Sequence, residues 1–490
     1  ENLGGNSSKA TDGIAAPGSA LQAAAGISDD GADLAKDGPA AKALITNGAK
    51  DFEWFTNIVG LANELVVRPT PGHGGVARTI GTKTHFPGAV VTYAAIHVLG
   101  QIASGKAERL QVLKRATVTK LLTEGGKVVG VECSVGGGTQ TLSGAVVIAV
   151  GGYAGDLSPG SVLAKNAPHL TKMATTSDER SSGDAIALCG AVGASVENLD
   201  TVDLTPLAAV MPNAPDSQFK LVVSDAICGA GGKLLDAQGK RFTDEMACSQ
   251  VRVDAMKAAK GPFRLVITEA QAASVQWLCD FYMGRKVMKK YDSPAALAKD
   301  MKVAELDSSI GKDAIYVATV TPALYSCGGG LTTGWQDSVA GKVLTASKTP
   351  VEGLFAAGEA TAAPFGKLWS VSGIPLLYSI YSGRIAGRAA AGADKTPTDL
   401  RELIISSLTA PSKVVEQSEK AEKSNDAAAE KTGDAPAEKP LEEMTQEELI
   451  AKIKDLEANG PPAAAPAADA GITMDEVKKH NTKEKTGDAP

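Results

Sequence analysis

The fold is decided by one stretch, Gly353–Ala391, which reads GLFAAGEATAAPFGKLWSVSGIPLLYSIYSGRIAGRAAA. Its short apolar run Leu354–Ala357 predicts a buried strand, and a glycine turn with Glu359 follows. A long apolar helix is predicted from Ile374, with a proline in its first turn, where the missing N–H costs nothing. A strand, a glycine turn and a helix start aim free N–H groups at an anion or an electron-rich ring. An ordinary strand–loop–helix in a core has the same pattern, so both interpretations stay open.

Composition narrows the class of protein. A chain of 490 residues predicts two to four domains, and 43% hydrophobic residues with 53 glycines fit a globular α/β protein. The net charge of −7 predicts no nucleic-acid partner. The six cysteines form no C-x-x-C pair, which predicts free thiols in a reducing compartment and no metal site. No apolar run approaches the ~18–20 residues of a membrane span, so no transmembrane segment is expected.

Four segments outside the opening stretch carry further signals. Gly4–Ile14 is a polar, glycine-rich loop of the kind that wraps a phosphate or a sugar, and Thr70–Thr79 is a glycine-rich loop holding His73. Arg115–Val135 alternates around a glycine pair, which predicts a hairpin. Ala145–Val150 is a continuous apolar run, typical of a strand covered on both faces. The paired glycines after that run let a cofactor approach the backbone closely.

Six motifs in a fixed order carry a family resemblance: GGNSSKATDGI, PGHGGVART, VVIAVGGYAGD, ATTSDERSSGDAIALCGAVGA, GGKLLDAQGKRFTDE and GLFAAGEATAAPFG. With them the chain resembles the soluble FAD-dependent fumarate reductases of the fumarate reductase and succinate dehydrogenase flavoprotein family, in a kinetoplastid-type form. The wider group includes urocanate reductases and ketosteroid dehydrogenases. The resemblance covers residues 1 to about 395, and six motifs in the right order are far more specific than any one of them.

The resemblance implies the fold class and the cofactor site. The fold would be α/β, with a Rossmann-like FAD-binding domain in two pieces, 1–204 and 318–396, and an inserted α+β capping domain, 205–317. FAD would be held non-covalently, with the last four residues of the following set at the isoalloxazine end. The implied contacts are Gly5, Asn6, Ser7, Ala10, Gly13, His73, Gly74, Thr117, Val118, Ala149, Gly151, Asp184, Glu359, Ser372, Ile374 and Leu376.

One departure from the family concerns the cofactor. The family begins with a strand, a GxGxxG turn and an acidic ribose ligand, a unit of ~30 residues. No such unit precedes Glu1. We expect either a truncated chain or a unit supplied by another polypeptide, and FAD binding that is weakened or lost.

A second departure concerns catalysis. Fumarate reduction needs a hydride, a proton donor, and cations that grip two carboxylates, roles suited to Arg and His. Where the family has two His and two Arg, this chain has Thr205, Ser249, Tyr325 and Trp369. Arg252, three residues beyond Ser249, is a candidate for a shifted substitute. The five histidines are His73, His85, His97, His169 and His480, so the span 171–479 holds none. A buried dicarboxylate would lack its partners here, which is costly.

Two functional hypotheses follow. The first is a fumarate reductase-like homologue, catalytically inactive for fumarate, used as a structural or accessory subunit with protein partners in a larger assembly. The second is an active FAD-dependent oxidoreductase on a different, more apolar substrate, with Tyr325 as general acid and Trp369 lining the pocket. The resemblance suggests the mitochondrion, with the glycosome or the cytosol as alternatives.

The last hundred residues differ in composition. Segment 397–440, rich in Ala, Lys, Glu, Ser and Pro, predicts a disordered linker. Segment 441–460 contains a capping box and predicts a short amphipathic helix. Segment 461–490 predicts a linker followed by the truncated start of a module resembling a b-type cytochrome. The H-P-G-G motif that carries the haem ligand of that module is missing, so no haem is expected.

Overall fold

The computed structural model describes residues 3–61, 64–335, 337–363 and 365–392, apart from the side chains of Asp337 and Lys367. The predicted linker, amphipathic helix and cytochrome-like segment, 397–490, lie outside the described residues, and so do the last four residues of the piece 318–396.

Sixteen strands and eleven α-helices lie in the described part of the chain. The strands are β1 (Ile14–Ala15), β2 (Leu65–Arg68), β3 (Thr79–Thr82), β4 (Ala116–Glu124), β5 (Lys127–Val135), β6 (Gly138–Ser143), β7 (Val146–Ile148), β8 (Val196–Glu197), β9 (Val202–Ala209), β10 (Lys233–Leu235), β11 (Phe263–Thr268), β12 (Met288–Tyr291), β13 (Ile315–Cys327), β14 (Gly330–Leu331), β15 (Lys342–Leu344) and β16 (Pro350–Ala356). The helices are α1 (Ala20–Ala24), α2 (Pro39–Val59), α3 (Pro87–Gly105), α4 (Val162–Asn166), α5 (Asp184–Gly190), α6 (Ala226–Gly229), α7 (Ser249–Ala258), α8 (Glu269–Ala272), α9 (Gln276–Gly284), α10 (Pro294–Met301) and α11 (Ile374–Ala391).

The opening stretch forms the predicted strand and helix. β16 pairs in parallel with β7 on one edge and antiparallel with β15 on the other. α11 begins at Ile374, and the residue before it, Gly373, has φ +81°. A Cβ on Gly373 would lie 2.6 Å from the backbone N of Ala15, so the helix start and β1 approach too closely for any side chain. The prediction of a buried strand followed by a helix from Ile374 is therefore confirmed.

β7 differs from its prediction. Its run of apolar residues predicted a strand covered on both faces, but Val147 is 39% exposed and Val150, just beyond the strand, is 50% exposed. Within the described residues, β7 pairs with β16 alone, so its second edge carries no ladder. The prediction was wrong because an apolar run shows only which side chains would gain from burial. It does not show whether another element packs over them.

The predicted hairpin is present and belongs to a separate antiparallel sheet. β4 pairs with β5 around Gly125 and Gly126, whose φ angles of +56° and +81° suit a tight hairpin turn. β5 then pairs with β6. A Cβ on Gly353 of β16 would lie 2.0 Å from the carbonyl oxygen of Val128, so this sheet packs closely against β16.

A five-stranded antiparallel sheet forms the second large unit, in the order β10-β11-β13-β12 with β9 also pairing β13. Aromatic and aliphatic side chains of α9, including Leu278 and Tyr282, bury one of its faces. The proposed domain boundaries, 204/205 and 317/318, fall inside β9 and β13, which pair with each other. The division into two domains stays a prediction.

Helix α3 tests the prediction that the chain has no transmembrane segment. By length and composition it is long and apolar enough to cross a membrane, so the statement that no apolar run approaches that length was wrong for this segment. A single helix of this kind is weak evidence, since core helices pass the same test. Six of its residues, Val91 and Ile96 among them, are buried in the fold. We therefore see no clear transmembrane span in the described residues.

The six cysteines are free thiols, as their spacing predicted, whereas the reducing compartment stays a prediction. All six lie in the described part of the chain and none forms a disulfide. Five are buried, and Cys248 is partly exposed. Burial raises the pKa of Cys189 and of Cys279 to about 12, which keeps both thiols protonated and unreactive.

Candidate functional site

The four positions singled out for catalysis converge in space. Thr205 comes from β9, Ser249 begins α7, Tyr325 lies on β13, and Trp369 lies in the loop before α11. All four line one small cavity of about 30 Å³, together with Ser372 and Gly373. Residues more than 160 positions apart in the sequence therefore line one cavity.

Three carboxylates that sequence reasoning missed line the same cavity: Asp12, Asp203 and Asp225. Asp12 Oδ1 accepts hydrogen bonds from Ser224 Oγ at 2.9 Å and from the backbone N of Asp225 at 2.7 Å. Burial, and then the charge of Asp225, raise the pKa of Asp12 to about 7. One of the three could have been found from the sequence. Asp203 lies inside an otherwise buried strand, and a carboxylate in such a position needs a partner or a function.

Asp203 has few partners. It is 9% exposed, and its two oxygens lie 3.4 and 3.3 Å from the single hydroxyl of Ser249. Burial raises its pKa to about 7, against the hydrogen bond from Ser249. In the described chain, neither this carboxylate nor its neighbours belong to a group of side chains suited to hold a metal ion.

Arg252, the candidate for a shifted catalytic residue, is paired with Asp225. Its Nη1 and Nη2 donate to the two carboxylate oxygens of Asp225 at 2.7 and 3.0 Å. The side chain is 1% exposed and is not among the residues that line the cavity. Both terminal nitrogens are thus held by Asp225, so the proposed role of a shifted proton donor has no support in this geometry.

Trp369 and Tyr325 form the aromatic part of the lining. Trp369 Nε1 donates to Ser326 Oγ at 3.1 Å, and its ring lies nearly parallel to that of Phe365. Burial, with the nearby carboxylates adding to it, holds the pKa of Tyr325 well above its usual value. The phenol of Tyr325 is therefore a protonated hydrogen-bond donor across the physiological pH range.

A larger cavity of about 720 Å³ adjoins the small one. The two share Asp203, Trp369 and Ser370 in their linings. The remaining residues of the larger lining are Asn198, Thr201, Val202, Cys248, Gln250, Val251, Asp254, Gly328, Ala363 and Gly366.

The structure brings part of the predicted ring-end set together. His73 Nε2 lies 2.8 Å from the carbonyl oxygen of Ser372, and β1 joins Gly373 through the N–H of Ala15. Gly13, directly before β1, has φ +131°, and a Cβ there would lie 2.2 Å from the carbonyl oxygen of Ile80. Packing alone thus explains the glycine at position 13.

Glu359 follows β16 and Gly151 follows β7, and both lie next to Gly152. Glu359 Oε1 accepts from the backbone N of Cys327 at 2.7 Å, and its carboxyl would be 2.7 Å from a Cβ on Gly152. Burial raises the pKa of Glu359, against that hydrogen bond. Gly151 has φ +80° and open space around it, and Ala149 beside it is exposed.

The N-terminal set begins in a short 3-10 helix, Gly5–Lys9, which contacts α3 and segment 178–181. Asn6 Nδ2 donates to Ser181 Oγ at 2.9 Å, and Asn6 Oδ1 accepts from the backbone N of Asp178. Ser7 and Leu376 line a third cavity, of about 390 Å³.

The other predicted cofactor positions are more dispersed. Ile374 is buried at the start of α11, and the carbonyl oxygen of Ala10 accepts from the N–H of Gly88. Gly5 has open space around it, whereas a Cβ on Gly74 would lie 3.9 Å from Asp33 Oδ2. Thr117 and Val118 lie on β4, and Val118 is exposed. Asp184 begins α5 and accepts from Ser182 Oγ at 2.7 Å.

Comparison with known proteins identifies the family of this chain. A family profile described as FAD binding domain matches residues 1–376. The chain belongs to this family and is a fumarate reductase-like flavoprotein.

Individual relatives agree with that assignment. The fumarate reductase of Schizosaccharomyces pombe is 29% identical over 451 residues, covering 84% of this chain and 86% of that protein. The fold is similar to the open conformation of a flavocytochrome c3 fumarate reductase, with a TM-score of 0.59, 21% identity, and coverage of 79% and 72%. It is also similar to a 3-ketosteroid-Δ4-(5α)-dehydrogenase from Rhodococcus jostii RHA1, with a TM-score of 0.56, 18% identity, and coverage of 80% and 90%. The predicted α/β FAD-binding fold is confirmed.

Two of the predicted cofactor residues of this flavoprotein, His73 and Ser372, fit a hydrogen-bonding ligand. Burial lowers the pKa of His73 to about 4, so its ring is neutral. Because Ser372 offers a carbonyl oxygen, His73 Nε2 carries the proton, and Nδ1 is left as a buried acceptor without a partner. Ser372 Oγ is also buried without a partner. His73 and Ser372 would hold FAD, which when bound supplies hydride transfer.

Proposed function

We propose that this fumarate reductase-like flavoprotein does not reduce fumarate and serves as an accessory subunit of a larger assembly. The observation that carries the first part is the lining of the small cavity. Three carboxylates line it, and no Lys, Arg or His is among its described residues. A dicarboxylate in this site would find no cationic partner in the described lining, and leaving its charges unpaired in a buried place costs several kcal/mol.

The test is fumarate-dependent oxidation of reduced methyl viologen by the purified chain, with the Schizosaccharomyces pombe relative as positive control. In this reaction two electrons from viologen and two protons convert fumarate to succinate. We expect a rate at least about 10⁴-fold below that of the relative, because removal of catalytic groups commonly costs this much. Turnover within about 100-fold of the relative would refute the proposal.

A second candidate function is an active flavoenzyme on a different substrate. The protonated phenol of Tyr325 in the cavity favours it, since such a group can donate a proton to a substrate. The visible spectrum of the purified chain discriminates between the candidates. A flavin spectrum that bleaches with dithionite and recovers with an acceptor other than fumarate supports this candidate, and a chain without flavin excludes it.

Support for a protein partner comes from β7. Its second edge is unpaired within the described residues, and Val147 and Val150 are exposed beside it. Such an edge is a template for an added strand, so we propose that a partner strand pairs there.

We expect the isolated chain to self-associate through this edge, and the V147K/V150K variant to stay monomeric, because charge beside a strand edge opposes pairing. Size-exclusion chromatography with light scattering measures both. Val251→Lys is the matched control, since Val251 is an equally exposed valine on α7. Equal effects of both substitutions would argue against an edge-specific interaction.

A mitochondrial location is proposed on the family resemblance alone, with the glycosome or the cytosol as alternatives. Imaging of the tagged chain in its own cells would decide among the three compartments.

A further inference from the structure

The two adjoining cavities meet at one carboxylate. Asp203 lines both, together with Trp369 and Ser370. The larger cavity, about 720 Å³, is of the size that holds a small organic molecule. A ligand that fills it would therefore lie against Asp203.

All the charged residues in the described linings of the two cavities are acidic. The charged residues in the linings are Asp203 and Asp254 in the larger cavity, with Asp12 and Asp225 added in the smaller one. No described lining residue is Lys, Arg or His. The buried cation nearby, Arg252, has both terminal nitrogens held by Asp225.

Asp203 itself is under-satisfied. The hydroxyl of Ser249 is within reach of both Asp203 oxygens and of the carbonyl oxygen of Ser370, at 3.2–3.4 Å, but it has one proton to donate. The backbone N–H of Leu204 adds a second hydrogen bond. An ionised carboxylate accepts about four hydrogen bonds, so this side chain, nine-tenths buried, has unused capacity at the junction of the cavities.

The small cavity also borders the cofactor residues, since Ser372, which would hold FAD, is in its lining. The free hydroxyl of Ser372 is therefore left to FAD, and the second ligand is assigned to Asp203. The small cavity, about 30 Å³, has room for little more than one polar group.

We propose that the joined cavities bind an organic cation, an amine-bearing compound with an apolar ring or chain, with Asp203 as its counter-ion and Trp369 as an aromatic wall. The ammonium group would lie at the junction, and the apolar part in the larger cavity. A buried carboxylate is stabilised by a cationic partner, and an aromatic ring beside a cation adds to the attraction. The inference deepens the proposed function, since it rests on this site not being a dicarboxylate site.

The experiment compares three probes of one skeleton on the full chain by isothermal titration calorimetry at about pH 8, where the Asp203 carboxyl is ionised. The probes are 2-phenylethylamine, 2-phenylethanol and 3-phenylpropanoate. We expect the amine to bind at least about tenfold more tightly than the alcohol, and the anion not to bind, since one desolvated charge pair commonly contributes that much. Equal or tighter binding of the alcohol or the anion, or no binding of the amine at about 10 mM, would overturn the inference.

Two substitutions locate the interaction. Asp203→Asn removes the charge and keeps the shape, so we expect it to weaken the amine at least about tenfold and to leave the alcohol unchanged. Glu269→Gln, an exposed carboxylate paired with Lys290 and outside both linings, should change amine binding by less than about twofold, because exposed charges contribute little. An unchanged affinity of the Asp203→Asn variant for the amine would place the binding elsewhere and overturn the assignment.

The two proposals fail separately. Binding is measured without reductant or turnover, so amine binding by a chain that also reduces fumarate would refute the proposed function alone. Absence of amine binding in a chain inactive on fumarate would refute the inference alone. The ranking of the three probes on the unaltered chain requires no variant to fold.

Discussion

Replacing Arg252 by Ala is expected to lower the free energy of unfolding by about 3–5 kcal/mol, the usual cost of removing one member of a buried ion pair. The guanidinium is 1% exposed and is joined to Asp225 by two hydrogen bonds. Without it, the Asp225 carboxylate would lie beside Asp12 and Asp203 with no cation among its neighbours. Urea denaturation followed by circular dichroism measures the loss.

The chain supplies a matched control on the same helix. Lys257 pairs with Asp254 on α7, and both side chains are more than half exposed. Lys257→Ala should therefore change the free energy of unfolding by no more than about 0.5–1 kcal/mol. A loss below about 1 kcal/mol for Arg252→Ala would show that the Asp225 carboxylate is hydrated or neutral after the change, against the burial seen here.

Asp203→Asn is expected to become more stable, relative to the unaltered chain, as the pH rises from about 4 to 8. Burial raises the pKa of Asp203 to about 7 in the folded protein, whereas an unfolded Asp titrates near 3.9. Between these two values the folded state binds more protons, so the stability of the unaltered chain falls as the pH rises. Asn cannot titrate, so the variant should gain about 3–5 kcal/mol relative to the unaltered chain over this range.

Comparing the two proteins at each pH removes the contributions of other groups, such as His73, whose pKa is lowered to about 4. Urea denaturation at several pH values gives the difference directly. Hydrogen bonds from Gln250 and Lys257 lower the pKa of Asp254, so Asp254→Asn should show a small trend of opposite sign. If the difference in free energy of unfolding between Asp203→Asn and the unaltered chain stayed constant with pH, the Asp203 carboxylate would be solvated or already paired.

Sequence reasoning predicted the local elements of the opening stretch well, because they depend on neighbouring residues. Turn glycines and the apolar run at Leu354 were enough to predict β16, and the proline after Ile374 marked the start of α11. The same reasoning failed for β7, whose exposed Val147 depends on what covers it. Coverage is a property of distant segments, and an apolar run does not reveal it.

For the site, the order of motifs singled out Thr205, Ser249, Tyr325 and Trp369, and the structure places all four around one cavity. The order of motifs did not reveal the carboxylates, because Asp12 and Asp225 lie in polar or loop segments where aspartate is common. Their burial and their proximity arise when the segments pack together. Nor did it reveal that Arg252 faces Asp225, since the direction of a helical side chain depends on what packs beside it.

The sequence by itself determined that this chain is a fumarate reductase-like flavoprotein, and it predicted Thr, Ser, Tyr and Trp at the four positions where the family resemblance implies catalytic residues. These statements depend only on the identity and the order of residues, which the sequence gives directly. The tertiary structure alone decided the charge of the site, because electrostatic energy depends on distance and on burial. Three aspartates spread over more than 200 residues come together around one small cavity, and Arg252 beside them is already paired with Asp225.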